Sequence, residues 1–301
     1  MVIKELLLQV KDLLRSGDIP YPDFDAMCIL CDMLRMDKTQ IIMNYWMEAD
    51  PDKADKALNA AGKRSKGYPL QYLLDHWEFY GLPMKTGEGV LIPRADTETL
   101  VDTVIEYYKE NKCSRRILDL CSGSGCIAIA LEKNISGAEV TAVENSSDAM
   151  PYLVKNAGIN KAKIRIIKGD VMNGSLLENF ADNNDPGEYI RFGCIVSNPP
   201  YLTDREMAQL QTEVTYEPSY ALSGGYDGLK FYRCISLLWK EVLEDGGLMA
   251  FEIGSEQGAA VKEIMEQNGF KNVRIIKDSQ GLDRATVGQL TVNSFQLTVS
   301  S

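Results

Sequence analysis

The tetrapeptide Asn198-Pro199-Pro200-Tyr201 has the residue types needed to hold a planar NH2 group. Two prolines fix the backbone and remove two N–H donors, so the local carbonyls stay free to accept hydrogen bonds. Asn198 adds a side-chain carbonyl oxygen, and Tyr201 a flat aromatic face for stacking. An amide nitrogen is a poor nucleophile because its lone pair is delocalised. Fixed acceptors on both of its N–H bonds favour the partly pyramidal, partly positive nitrogen of a group-transfer transition state. The electrophile then needs only in-line alignment, about 3 Å away. The proton can leave afterwards, so no strong base is required, and the chain has a single histidine, His76. A proline-stiffened turn after a strand would use the same residues, so position must decide between the two.

A second constellation lies upstream. The apolar run Ile117-Leu118-Asp119-Leu120 leads into Cys121-Ser122-Gly123-Ser124-Gly125, and Cys126 starts a helical pattern. A strand, a glycine turn and a helix bring backbone N–H groups close to a ligand. The loop has two glycines where a dinucleotide fingerprint has three, and by itself it also fits a plain tight turn. Glu144 ends the next strand, where a carboxylate can accept both hydroxyls of an adenosine ribose. Asp170, followed by Val171, ends the third, where it can face an adenine edge. Three successive strands ending in ligand-type residues point to an adenosine-containing cofactor.

The elements that must position these residues follow from periodicity. Strand-like runs are Arg116–Cys121, Glu139–Glu144, Lys163–Gly169, Cys194–Ser197 and Leu248–Ile253, with helical stretches between them and a polar loop over 173–190. That alternation predicts an α/β fold, a parallel sheet covered by helices on both faces. Val273–Lys277 and Ala285–Leu290 flank a turn and read as an antiparallel hairpin at the sheet edge. Residues 77–93 read as a β-hairpin linker, and a helix is expected over about 96–110. Ahead of them, helical spacing appears over 2–16, 23–36 and 39–48, and Asp50-Pro51 reads as the cap of a helix to about Lys66. The expected organisation is a helical bundle over 1–75, a hairpin linker over 76–95 and a catalytic domain over 96–301.

Bulk properties narrow the function. The 301 residues are 45% hydrophobic and 25% charged, with a net charge of −11. Residues 1–75 carry 10 Lys and Arg against 12 Asp and Glu, so the remainder holds −9 of that charge. An acidic large domain argues against direct nucleic-acid binding. The first residues lack a signal-peptide layout, and charges interrupt every long apolar run, so no membrane segment is expected. The seven scattered cysteines fit reduced thiols in the cytoplasm. Cys28 and Cys31 form a C-x-x-C within an apolar helical pattern, without a partner pair, which fits core packing better than metal binding.

With these residues assembled, the chain resembles the N5-glutamine methyltransferases of peptide chain release factors, the HemK/PrmC family. The resemblance covers nearly the whole chain. It rests on the linker Val90-Leu91-Ile92-Pro93-Arg94-Ala95-Asp96-Thr97-Glu98, on Asp119–Gly125 and on Asn198–Tyr201. It extends through Glu217-Pro218, Ala221–Gly225, Asp227-Gly228-Leu229, Phe231-Tyr232-Arg233 and Asp283-Arg284. The resemblance implies a Rossmann-like class I methyltransferase with a mostly parallel seven-stranded sheet and a helical N-terminal domain that docks the release factor. It implies S-adenosylmethionine as cofactor, S-adenosylhomocysteine as product, and the glutamine of a Gly-Gly-Gln loop as substrate. Cofactor contacts then fall on Cys121, Ser122, Gly123, Ser124, Gly125, Glu144, Asp170, Val171 and Asn198. Substrate contacts and catalysis fall on Asn198, Pro199, Pro200 and Tyr201. No metal is implied, and a cytoplasmic monomer is expected. Competing functions are methylation of a ribosomal-protein glutamine, methylation of a nucleic-acid amino group, and a non-catalytic cofactor sensor. Three positions depart from the family pattern: Cys121 stands where glycine is usual, Glu144 where aspartate is usual, and Val171 where an aromatic residue is frequent. Cys121 is expected to offer its backbone to the ligand only if its φ is negative.

Overall fold

The computed structural model describes residues 1–182, 185 and 187–291, so parts of the polar loop at 173–190 and the end of the 96–301 domain lie outside the described residues. The chain divides into two compact units, one of residues 1–77, 86–88 and 210–217, the other of the remainder.

In the first unit, Ile3–Ser16 (α1), Pro22–Leu34 (α2), Lys38–Met43 (α3), Pro51–Arg64 (α4) and Leu70–Leu74 (α5) are helical. Ile3, Leu6, Leu7, Val10 and Leu14 of α1 share a core with Ile29 and Leu30 of α2 and Ala54, Ala57 and Ala61 of α4. Asp50 caps α4 by accepting from the Lys53 N–H at 3.1 Å, with Pro51 in the first turn. The helical pattern over 39–48 is realised only as far as Met43. There the Asn44 side chain donates to the Gln40 carbonyl (2.8 Å), and the Met47 N–H closes a turn onto Asn44. Segment 210–217 belongs to this unit because Glu213 meets the buried Arg64 guanidinium at 2.9 Å, beside the Arg64–Asp25 pair at 2.7 Å. Cys28 and Cys31 pack against the helical core, and burial pushes the Cys28 thiol up to about 11.

His76–Phe79 (β1) and Leu82–Lys85 (β2) form a two-stranded ribbon, whereas Val90, Leu91 and Ile92 lie outside any strand. The sheet of the second unit comprises Arg116–Leu120 (β3), Glu139–Glu144 (β4), Ile164–Lys168 (β5), Phe192–Ser197 (β6), Leu243–Glu252 (β9), Phe270–Lys277 (β10) and Asp283–Leu290 (β11). Leu202–Thr203 (β7) and Ser223–Gly225 (β8) pair separately. The large sheet has seven strands in the order β10-β11-β9-β6-β3-β4-β5; β3 to β6 and β9 run parallel, and β10 and β11 return antiparallel. The chain leaves β3 for β4 and β5 on one side and returns to β6 on the other, which makes a topological switch point beside β3.

Helices cover both faces because the strands are apolar on both. Ile117, Val140, Cys194 and Ala250 face Glu98–Glu110 (α6), Cys126–Asn134 (α7) and Met150–Ile159 (α8). Their neighbours Leu118, Val143, Ile195 and Phe251 pack in a second core. That core contains Tyr232 and Ile235 of Lys230–Leu238 (α10) and Val261 and Ile264 of Gly258–Gln267 (α11), whereas the short Asp204–Met207 (α9) buries none of its residues. No helix among the described residues is long and apolar enough to cross a membrane.

Asn156, fully buried on α8, ties the β2 ribbon to the glycine loop. Its Oδ1 accepts from the Lys85 N–H (2.6 Å), and its Nδ2 donates to the Ser124 carbonyl (2.9 Å) and the Lys85 carbonyl (3.2 Å). Asn156→Ala should lower unfolding stability by about 2–4 kcal/mol, because buried backbone groups lose their partners. Urea denaturation of the purified variant checks this, and a loss below about 1 kcal/mol would mean that water replaces the amide.

Candidate active site

A cavity of about 540 Å³ opens at the carboxyl ends of the parallel strands. Cys121, Gly123, Glu144, Asp170, Val171, Asn198 and Pro200 line it. Residues from the ends of β3, β4, β5 and β6 therefore meet in one place. Ser122, Ser124, Gly125, Pro199 and Tyr201 are not on its wall, and each has a different place.

The loop after β3 is built by three left-handed residues, Cys121 (φ 61°), Gly123 (φ 54°) and Gly125 (φ 81°). The φ of Cys121 is thus positive, contrary to the condition set for it from sequence. A residue with a Cβ stores about 1–2 kcal/mol of strain in this region. Its side chain is partly buried against the apolar core, and burial, followed by the nearby Glu144, pushes its thiol well above the usual range. Cys126, pushed up to about 12 by burial, is likewise an inert thiol. Ser122 is buried and turns its hydroxyl back to donate to the Asp119 carbonyl at 2.9 Å. Gly125 starts α7, and a Cβ there would lie 2.3 Å from Leu153 Cδ1. At Gly123 a Cβ would meet nothing within 4 Å. The loop is therefore tight toward the core at Gly125 and open at Gly123.

Glu144 is 8% exposed and holds the loop in shape. Its Oε2 accepts from the Gly123 N–H and its Oε1 from the Ser146 N–H, both at 2.7 Å. Each oxygen keeps a further lone pair for a ligand hydroxyl. Asp170 closes an Asx turn by accepting from the Met172 N–H at 2.9 Å, and the Val171 carbonyl accepts from Trp239 Nε1 at 2.9 Å. Sequence reasoning did not assign roles to Tyr220 or Phe231, which also line the cavity. The Tyr220 hydroxyl accepts from Ser146 Oγ and donates to the Gly89 carbonyl, both at 2.6 Å. These two rings supply aromatic surface in a cavity whose Val171 has none.

Asn198 follows β6. Its Nδ2 donates to Thr97 Oγ1 at 3.4 Å, which turns Oδ1 away from Thr97. Thr97 is buried in the short helical turn Ala95–Thr97 that opens α6. Beyond the prolines, the Tyr201 carbonyl accepts from Gln257 Nε2 at 2.9 Å, and a Cβ on Gly228 would lie 2.3 Å from that carbonyl oxygen. The Gly-Gly-x-Asp-Gly-Leu stretch is thus a cradle for the Tyr201 backbone. The Tyr201 ring is partly buried against the apolar core, and burial raises its hydroxyl above the usual range. Arg284 clamps the linker, pairing with Asp96 at 3.2 Å and Asp278 at 3.1 Å. Asp119 lies beneath the loop with Oδ2 accepting from the Ala128 N–H (3.2 Å) and Oδ1 buried without a partner among the described residues; burial pushes its carboxyl up to about 7.

The parallel sheet, its switch point and the cavity above it define a class I methyltransferase fold. Residues 5–74 match the PrmC N-terminal domain, and residues 96–222 match the methyltransferase small domain. A release factor glutamine methyltransferase of Thermodesulfovibrio yellowstonii is 37% identical over 268 residues, covering 88% of this chain and 91% of that protein. One of Fusobacterium nucleatum is 38% identical over 288 residues, covering 93% of this chain and 77% of that protein. The hMettl16 catalytic domain, solved in complex with MAT2A 3'UTR hairpin 6, shares the fold, with a TM-score of 0.52, 18% identity and coverage of 81% of this chain and 84% of that one. The chain belongs to the release factor glutamine methyltransferase family.

The two loop glycines should separate folding from ligand binding. Gly125→Ala forces a Cβ into Leu153 and should destabilise the chain by about 1–3 kcal/mol. Gly123→Ala should cost only the strain of a Cβ at positive φ, about 1–2 kcal/mol, and less than Gly125→Ala, which bears the same strain plus the clash, because the space at Gly123 is open. It should still weaken S-adenosylhomocysteine binding by roughly tenfold or more, since the methyl projects where the ligand must approach. Thermal melts and calorimetry on both variants read the two effects, and undiminished binding by Gly123→Ala would remove this face of the loop from the ligand site.

Proposed function

We propose that this chain transfers a methyl group from S-adenosylmethionine to the side-chain amide nitrogen (N5) of the glutamine in the Gly-Gly-Gln loop of peptide chain release factors. The observation that carries the chemistry is the orientation of Asn198, whose NH2 is held by Thr97 at 3.4 Å so that Oδ1 is left as an acceptor on the cavity wall.

The cavity suits an adenosine cofactor. Gly123 is open to close approach, Glu144 keeps lone pairs for two ribose hydroxyls, and Asp170, Val171 and Phe231 offer a polar edge and an apolar wall for a purine. Ser122, Ser124 and Gly125 would serve by shaping the loop. S-adenosylmethionine, when bound, supplies an electrophilic methyl on a sulfonium sulfur. The protein's part is to present the nitrogen. Asn198 Oδ1 and the Pro199 carbonyl accept the two amide N–H bonds, and Pro200 keeps the backbone rigid and donor-free. Tyr201, anchored through its carbonyl by Gln257, walls the substrate side. The amide proton leaves to water after transfer, in keeping with the absence of any histidine besides His76. In this reading the chain acts as a cytoplasmic monomer on a protein partner, without direct nucleic-acid contact.

Asn198→Ala should lower turnover by roughly a hundredfold or more, as loss of one fixed transition-state acceptor does. Glu144→Ala should instead weaken S-adenosylhomocysteine binding by about 1–3 kcal/mol through lost charge-assisted bonds. Mass spectrometry of an unmodified release factor after incubation with labelled cofactor tests the assignment. Transfer to RNA or DNA with none to glutamine would overturn it.

Acceptors for one NH2 group cannot choose among the glutamines of a cell, so substrate choice needs a larger surface. The first unit exposes Tyr21 (75%) and Phe24 (56%), one helical turn apart at the start of α2. Exposed aromatic side chains of this kind anchor protein interfaces. The double variant Tyr21→Ser, Phe24→Ser should raise KM for intact release factor roughly tenfold or more and leave transfer to a free Gly-Gly-Gln peptide unchanged. Equal KM values for the intact factor would remove this pair from the docking surface.

A further inference from the structure

A buried carboxylate that sequence reasoning did not single out lies beside Asn198. Glu252 ends β9, and Ser197 pairs with Phe251 across parallel β6 and β9, so Asn198 and Glu252 leave adjacent strands at the same level. Glu252 is 2% exposed, and its Oε2 is buried without a hydrogen-bond partner among the described residues. Burying a carboxylate in this way is unfavourable, and Arg284 and Arg94 nearby offset only part of that cost. Thr97, from the start of α6, lies within reach of the Glu252 carboxyl and opposes the effect of its burial, and the same Thr97 oxygen lies 3.4 Å from Asn198 Nδ2.

We propose that Glu252 and Thr97 form a positioning relay that fixes the orientation of the Asn198 amide, and the proposal rests on the reading of Asn198 as the acceptor for the substrate nitrogen. Alone, a threonine hydroxyl can either donate to an amide oxygen or accept from an amide nitrogen, so it leaves the two flips of Asn198 nearly equivalent. An ionised carboxylate is acceptor-only. It takes the Thr97 proton, which leaves Thr97 Oγ1 able only to accept. Asn198 must then donate to Thr97 and direct Oδ1 elsewhere. With Glu252 neutral, its own proton can satisfy Thr97 Oγ1, the Thr97 proton is released toward Asn198, and the flipped amide presents NH2 where an acceptor is required.

Burial pushes the Glu252 carboxyl up to about 7, so the relay switches near neutrality. The charged and titratable groups near Glu252 are Arg284 from β11, Arg94 and Asp96 from the linker, Tyr201 from the catalytic loop, Tyr232 from α10 and Cys126 from α7. Tyr232 spends its hydroxyl proton on the Glu252 backbone carbonyl at 2.9 Å, which leaves the carboxyl to Thr97. Asp119 titrates in the same range but sits under the glycine loop, so a variant at 252 separates the two.

The test is single-turnover methyl transfer to an intact, unmodified release factor, measured across neutral pH for wild type, Glu252→Gln, Thr97→Val, Thr97→Ser and Asn198→Ala. The wild-type rate should rise roughly tenfold between about pH 6 and pH 8, as a single group titrating near 7 requires. Glu252→Gln and Thr97→Val should each lose roughly thirtyfold or more in kcat and show no rise over that range, with S-adenosylhomocysteine affinity within about threefold of wild type. Thr97→Ser should recover most of the rate lost by Thr97→Val, and this pair decides the matter if Glu252→Gln does not fold. If Glu252→Gln or Thr97→Val keeps the wild-type rate and profile while Asn198→Ala is slow, the relay is refuted and the acceptor role of Asn198 stands. If Asn198→Ala is also fast, both are refuted.

Discussion

Everything at this site depends on the shared polarity of five strands. Parallel strands must all end on the same edge, and the register decides which residues emerge level with one another. Asp119 pairs with Val196, Leu120 with Ser197 and Ser197 with Phe251, so the turns after β3, β6 and β9 begin within a residue of each other. Cys121, Asn198 and Glu252 are neighbours for that reason alone, although more than 130 residues separate the first from the last. Because β3 lies at the switch point, the turns after it and after β6 diverge and leave a crevice. The hydrophobic cores on the two faces hold the strands in this register, and a one-residue slip would send Asn198 to the opposite face.

Within that frame the cofactor loop is held in an uncommon backbone state. Cys121 carries strain that glycine would not, yet its side chain gains burial in the core. The Glu144 carboxylate compensates from the other side by accepting from the Gly123 N–H at 2.7 Å. The longer reach of glutamate relative to aspartate fits this arrangement, since the carboxyl must cross from the end of β4 to the loop after β3. Two of the three departures from the family pattern therefore belong to one local structure. At the third, Val171, the aromatic surface of the cavity comes instead from Tyr220 and Phe231, which reach it from distant sequence.

The sequence was most informative where chemistry and local structure coincide. The glycine loop, the Asn-Pro-Pro-Tyr turn and the alternation of strands with helices were all legible, because each is written in contiguous residues of unusual type. Val90, Leu91 and Ile92 misled because burial alone, without strand pairing, gives the same β-branched and apolar run. The five-residue α5 has no periodicity long enough to register. Cys121 misled because its residue type argues against the left-handed conformation that the surrounding turn imposes. Glu252 was invisible for a different reason: a single acidic residue inside the strand-like run Leu248–Ile253 belongs to no motif. Only the pairing of β9 with β6, and the packing of Thr97 from the start of α6, shows that it is enclosed.

That enclosure bears on how an amide can be made to react without a base. As the nitrogen takes on a bond it becomes positive, and what it needs is fixed negative potential, not a proton acceptor. Asp119, beneath the glycine loop, and Glu252, at the end of β9, each keep one buried oxygen without a partner among the described residues. Exposed carboxylates would be screened by solvent and would contribute little. Buried ones are unfavourable in the resting protein, which is why both are raised to about 7, and any positive charge that develops nearby favours their ionised form.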